Sequence, residues 1–194
     1  MYKRQAYDLI GQTPLVLLEN FSDENVKIYA KLEQFNPGGS IKDRLGKYLI
    51  EKAIDEGRLK EGDTIVEATA GNTGIGLAIA SNRHKVKCII FAPEGFAEEK
   101  ISIMKALGAD VRRTPKAEGM TGAQQEALAY ATRYGYLYMN QFETKDNPGA
   151  YTQTLAKQLT DELSHIDYFV AGVVSGGTFT GVAQHLKTYD VKNY

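Results

Sequence analysis

The stretch Thr64-Ile65-Val66-Glu67-Ala68-Thr69-Ala70-Gly71-Asn72-Thr73-Gly74-Ile75-Gly76 decides the fold. A short apolar run, such as a buried strand supplies, breaks into small and polar residues and then continues with helical spacing to about residue 83. A second strand follows at 87–92. Its Cys88-Ile89-Ile90-Phe91 is apolar on both faces, as a sheet covered by helices on both sides requires. Strand, helix and strand in that order make a right-handed βαβ unit of parallel sheet. The alternation extends in both directions. Upstream are a strand at 26–32, the turn Asn36-Pro37-Gly38-Gly39-Ser40, and a helical pattern through Leu45, Leu49, Ile50, Ala53 and Ile54 that stops near Gly57. Ser40 and Asp43 have the spacing of a capping box. Downstream are helices at 98–107, 120–134, 150–163 and 179–187, with strands at 110–113, 136–139 and 168–174. The expected class is therefore α/β: three αβα layers around parallel-rich sheet.

Composition excludes several function classes. The 194 residues are 43% hydrophobic and 24% charged, which suits a folded soluble chain and not a disordered tail. With 23 basic and 24 acidic residues the net charge is −1, so nucleic acid is not an expected partner. No apolar run approaches the roughly 20 residues needed to span a bilayer, and the first residues lack the apolar core of a signal peptide. A lone Cys88 builds no disulfide framework, and a reducing, cytoplasmic setting is expected. His84, His165 and His185 are far apart without metal-ligand spacing, so no metal is expected.

In open α/β sheets ligands bind beyond the carboxyl ends of the strands, which directs attention to three turns. The first sets Lys42 at a helix start, where the positive end of the macrodipole disfavours an ammonium and favours a neutral, reactive amine. A solvated lysine partnered with Asp43 is the plain alternative. The second, from Glu67 to Gly76, joins a buried strand to a helix N-terminus suited to an anion, but matches neither the dinucleotide nor the nucleoside-triphosphate glycine pattern. Its glycines alternatively serve only close helix packing. The third, Val174-Ser175-Gly176-Gly177-Thr178-Phe179-Thr180-Gly181, offers backbone amides and two hydroxyls as a phosphate cradle. An amine, an anion turn and a phosphate cradle are the parts that a pyridoxal phosphate enzyme needs.

Four ordered blocks, Leu9-Ile10-Gly11-Gln12-Thr13-Pro14-Leu15, Lys31-Leu32-Glu33, residues 36–44 and residues 175–181, resemble the cysteine synthase and cystathionine β-synthase family of pyridoxal phosphate enzymes. The resemblance covers essentially the whole chain. It implies the tryptophan-synthase-β-like fold (fold type II), with the large domain incomplete in these residues. Lys42 would hold pyridoxal 5'-phosphate as a Schiff base and then move the substrate Cα proton. Asn72 would bond the cofactor's 3′-oxygen, and Ser175, Gly176, Gly177 and Thr178 would bind its phosphate. Thr69, Gly71, Asn72, Thr73 and Gln141 would hold the amino-acid carboxylate. The implied reaction is β-replacement on O-acetylserine, sulfide giving cysteine or homocysteine giving cystathionine.

The same resemblance implies a homodimer and a division into residues 1–35 (N-terminal part of the large domain), 36–141 (small mobile domain carrying Lys42 and the Asn72 turn) and 142–194 (part of the cofactor-anchoring domain). Departures from the family pattern are Ala70, where Ser is common, Val174, where Gly is common, and residues 147–158, which follow the usual stretch loosely. Ala70 withdraws one hydroxyl from the carboxylate turn, a hydrogen bond of about 1 kcal/mol. Together with Tyr151 and Thr154-Leu155-Ala156 it is similar to the bacterial branch that works in reverse transsulfuration. The competing expectation is a non-catalytic fragment or interaction domain that keeps the motifs without a complete site.

Overall fold

The computed structural model describes residues 5–96 and 98–189. Near the N-terminus β1 (Leu15–Leu17) and β2 (Tyr29–Lys31) form a small antiparallel ribbon, so the strand expected at 26–32 is shorter and stands apart from the main sheet. Four strands build that sheet: β3 (Thr64–Ala68), β4 (Lys87–Pro93), β5 (Asp110–Thr114) and β6 (Leu137–Tyr138). All pair in parallel in the order β5-β4-β3-β6. Ile65 lies beside Cys88 and Leu137, and Val66 beside Ile89 and Tyr138.

Because side chains alternate along a strand, each strand feeds two cores. Ile65 and Ile90 join one core with residues of α1 (Lys42–Asp55), α2 (Asn72–His84) and α3 (Glu98–Ala106). Val66, Ala68, Ile89 and Phe91 join the other, against α4 (Gly119–Tyr134). Helix α4 meets the sheet through Ala123, Ala127 and Ala131, whose small side chains at every fourth position allow close approach. It ends at Gly135, whose φ of +69° closes the helix in the left-handed region, as Gly108 at +86° does after α3. Helices α1 and α2 cross where Gly46 faces the backbone of Gly76. A Cβ at either position would overlap main-chain atoms of the other helix.

Three sequence expectations are corrected. The helix expected at 150–163 begins earlier, at α5 (Asp146–Tyr151), because Pro148 sits in the first turn, where no intrahelical N–H is needed. It runs on through a π-helical turn (Thr152–Ala156) into α6 (Lys157–Glu162). The Ser40–Asp43 capping box does not form: Ser40 Oγ accepts from the Lys42 N–H, and the Asp43 carboxylate accepts from the Gly38 N–H. Residues 168–174 are not a strand. Among the described residues no strand lies beside them, so Tyr168 and Val170 are each 90% exposed while Phe169 is half-buried against Phe179. After this segment comes α7 (Gly177–Tyr189), which rests on α5 and the π-helical turn.

Candidate active site

The sheet order sets the position of the site. From β3 the chain moves outward to β4 and β5 and then returns to the opposite side of β3 as β6, so the crevice of an open α/β sheet opens beyond the carboxyl ends of β3 and β6. The turn at residues 69–73 follows β3, and Gln141 follows β6. Asn140, with φ of +49°, bends the chain after β6, a conformation that asparagine tolerates better than most residues. Gln141 is then pinned at three points. Its N–H donates to Glu67 Oε2 at 3.0 Å, its carbonyl accepts from Asn147 Nδ2 at 2.7 Å, and its side-chain oxygen accepts from Thr73 Oγ1 at 2.7 Å. The other oxygen of Glu67 accepts from the Ala68 N–H, and burial pushes this carboxyl up to about 7. Thr69 is buried and its hydroxyl accepts from the Gly71 N–H; Asn72, half-buried, opens α2.

The glycines of this turn divide by position. A Cβ on Gly71 would meet nothing within 4 Å, so that position is open toward the crevice. On Gly74 a Cβ would collide with Met104, and on Gly76 with the Lys42 carbonyl; these two are packing glycines.

Lys42 is the first residue of α1. Its Nζ lies 3.4 Å from Ser175 Oγ and 3.5 Å from Tyr151 Oη, and burial holds its pKa below the ordinary lysine value. Asp43, the partner in the plain reading, turns away to Gly38, and burial raises its carboxyl to about 6. Lys42 is therefore met by hydroxyls and not by its neighbouring carboxylate.

The turn expected as a phosphate cradle lies across from it. Gly176 has φ of +79°, a conformation a side chain resists, and the main chain then enters α7, whose first N–H groups have no intrahelical acceptor. A Cβ on Gly177 would overlap Asn147 Oδ1, so the cradle exists only with glycine there. A phosphate cradle on a helix N-terminus, with a half-buried amine 3.4 Å from its first hydroxyl, fits a phosphorylated aldehyde that bonds to lysine.

Two site residues were missed in the sequence. Asn147, 2% exposed, donates from Nδ2 both to the Gln141 carbonyl and to Ser175 Oγ at 3.2 Å, so it ties the segment after β6 to the turn before α7; its Oδ1 is buried with no partner. Tyr151, one helical turn on, is fully buried; its hydroxyl lies near Thr178, and burial raises it to about 12. The available signal was two polar-tipped residues four apart on one helix face, hidden because Asn147-Pro148-Gly149 resembles a helix break.

The remaining motif blocks are structural. Arg44, 2% exposed, donates to both oxygens of Glu33, to the Gly11 carbonyl and to Thr13 Oγ1, while the Gly11 N–H donates to Asn36. Burial works against the Glu33 charge, but Arg44, Thr13 and Asn36 hold its carboxyl below the usual range. The N-terminal loop, β2 and α1 are thereby fastened behind Lys42. Burial pushes Cys88 up to about 12, which leaves it a small buried apolar residue. Among the described residues no cluster suits a metal ion, and no helix is long and apolar enough to cross a membrane.

Known proteins share this architecture. A family model described as "Pyridoxal-phosphate dependent enzyme" matches residues 6–193. The O-acetylserine dependent cystathionine beta-synthase of Bacillus subtilis is 50% identical over 183 residues, 93% of this chain and 60% of that protein. A cysteine synthase of Helicobacter pylori is 48% identical over 186 residues, again 93% of this chain and 60% of that protein. The crystal structure of O-acetylserine dependent cystathionine beta-synthase from Helicobacter pylori superposes with a TM-score of 0.91 at 45% identity, covering 97% of this chain and 63% of that one. The chain thus spans about 60% of the length of the curated relatives it matches.

Proposed function

The chain belongs to the pyridoxal-phosphate dependent enzyme family, and on that premise we propose that its site serves β-replacement on O-acetylserine by a sulfur nucleophile, sulfide giving cysteine or homocysteine giving cystathionine. The observation that carries this reading is Lys42: a half-buried amine between the hydroxyls of Tyr151 and Ser175, the latter in the turn that leads into α7. The cofactor, when bound, supplies an electron sink for the carbanion at Cα.

The chain's own residues do the rest. Lys42, depressed by burial, is the amine that binds the aldehyde and then takes and returns the Cα proton. Ser175, Gly176, Gly177 and Thr178 hold the phosphate, and Asn72 bonds the ring's 3′-oxygen. Thr69, Gly71, Asn72, Thr73 and Gln141 receive the substrate carboxylate. With the Gln141 side-chain oxygen engaged by Thr73, its amide NH2 is the group left to donate. In the same reading residues 36–141 form a small domain that closes over substrate against a larger one made of 1–35 and 142–194, excluding water. The setting is the cytoplasm and the assembly a homodimer.

The test is to supply the purified chain with pyridoxal phosphate, O-acetylserine and, separately, sulfide and homocysteine. A visible absorption band that is lost in Lys42→Ala, with cysteine or cystathionine formed, supports the reading; a chain that stays colourless with added cofactor contradicts it. The exposure of Tyr168, Val170 and Val174 favours a second reading, a non-catalytic fragment or interaction domain that keeps the motifs without a complete site. It predicts the band without either product.

A further inference from the structure

Tyr151 sits where the reaction assigns no residue, although its environment is tightly specified. It is fully buried, and it is the last residue of α5, from which the π-helical turn Thr152–Ala156 departs. That extra-wide turn is itself fastened: Thr152 Oγ1 donates to the Gly181 carbonyl of α7 at 2.9 Å, so the phosphate helix and the Tyr151 backbone move together. Single π-turns inside helices commonly mark functional positions. The phenol reaches Lys42 Nζ on one side and Thr178 on the other, with the Lys42 amine 5.8 Å from its ring centre.

The amine thus has two oxygens within reach, Tyr151 Oη and Ser175 Oγ, both near the long limit of hydrogen bonding. The charged groups nearby are engaged elsewhere: Asp43 faces Gly38, and Glu33 is paired with Arg44. A buried lysine with a carboxylate partner would be locked as ammonium, whereas one with no partner would have no fixed direction. A neutral phenol orients the amine without supplying a counter-charge.

We propose that Tyr151 is a positioning residue: its hydroxyl holds the Lys42 amine beside the phosphate turn and joins it to Thr178, so that the lysine and the phosphate cradle are aligned as one unit. This rests on the reading of Lys42 as the cofactor lysine. When a phosphate fills the cradle, Thr178 turns toward it, and the phenol remains the fixed acceptor for the amine.

The test compares wild type with Tyr151→Phe, which keeps the ring and the core volume, and with Tyr134→Phe as a surface control. The first measurement uses cofactor-free protein: competitive labelling of Lys42 with acetic anhydride across pH, read by mass spectrometry of its peptide. Losing an acceptor for the ammonium moves the labelling midpoint of Tyr151→Phe down by about half a pH unit or more, a shift that loss of packing alone does not produce with the fold intact. The second is titration with pyridoxal phosphate and with unphosphorylated pyridoxal. The variant's affinity for the phosphorylated form falls several-fold, and its preference for that form narrows. If Tyr151→Phe unfolds, 3-fluorotyrosine at position 151 carries the test: its weaker acceptor oxygen lowers the Lys42 midpoint, and an unchanged midpoint overturns the role of Tyr151. An unchanged midpoint and unchanged cofactor preference in Tyr151→Phe overturn the role of Tyr151, even where wild type captures cofactor at Lys42; a wild type that captures none at Lys42 overturns the functional reading instead.

Discussion

Residues 88–92 and 168–174 carry the same kind of sequence and reach opposite ends. The first becomes the centre of a parallel sheet, with Ile90 fully buried and a hydrogen-bonded strand on each side. The second has Val, Phe and Tyr in similar density, yet Val170 is 90% exposed and no described strand pairs with it. An apolar pattern specifies what a segment can bury, while a strand also needs neighbours to take its backbone groups. The difference divides the site in two. The turn at residues 69–73 hangs from the four-stranded sheet, whereas the turn at residues 174–178 follows the unpaired segment and is held by α5 and the π-helical turn, through Asn147 on Ser175 and Thr152 on Gly181.

The largest effect of this contrast belongs to hydrogen exchange. Amides of Val66 and Ile90 exchange more slowly than those of Phe169 and Val170 by on the order of a thousandfold, because one set opens with the sheet and the other has no ladder to open. Equal protection in both segments breaks the comparison. Next, Ile90→Ala lowers unfolding free energy by about 3 kcal/mol through cavity formation, while Val170→Ala changes it by less than about 0.5 kcal/mol; chemical denaturation of both reads the difference.

A smaller pair sharpens the comparison within one turn. Gly76→Ala forces a methyl into the Lys42 carbonyl and costs about 2 kcal/mol, while Gly71→Ala, facing open space, leaves stability nearly unchanged and weakens substrate capture instead. The smallest effect concerns pH. The Glu67 carboxyl is raised from 4.5 to about 7 by burial, so its proton favours the folded state at low pH, and that stability is lost as pH rises through 7. Glu67→Gln, which cannot titrate, therefore gains on the parent protein as pH goes from about 5.5 to 8 in urea unfolding. A pH-independent difference between the two contradicts a protonated Glu67.

Much of the fold was legible because β3, β4 and the helices between them combine clear periodicity with glycine punctuation; the expected 64–67 and 87–92 match Thr64–Ala68 and Lys87–Pro93 to within a residue. The failure at 168–174 follows from the same physics, since periodicity reports a segment's faces and says nothing about its neighbours. In the site, Lys42 and Ser175 were readable from motif and do meet in space, as do Thr73 and Gln141. Asn147 and Tyr151 were not, because their work is done by tertiary contact across helices, and an Asn-Pro-Gly run reads locally as a break. Glu67 was hidden for a related reason: a charged residue in an apolar strand declares its role only when the backbone groups that it binds, those of Ala68 and Gln141, are placed beside it.

The central claim is that the half-buried amine of Lys42 and the cradle at 175–178 form one cofactor site. Its most direct test is to mix the chain with pyridoxal phosphate, reduce with borohydride and map the modified lysine by peptide mass spectrometry. The account predicts the phosphopyridoxyl group on Lys42, near one per chain, with competing inorganic phosphate reducing the yield. Label scattered over exposed lysines such as Lys85, or no label at all, contradicts it.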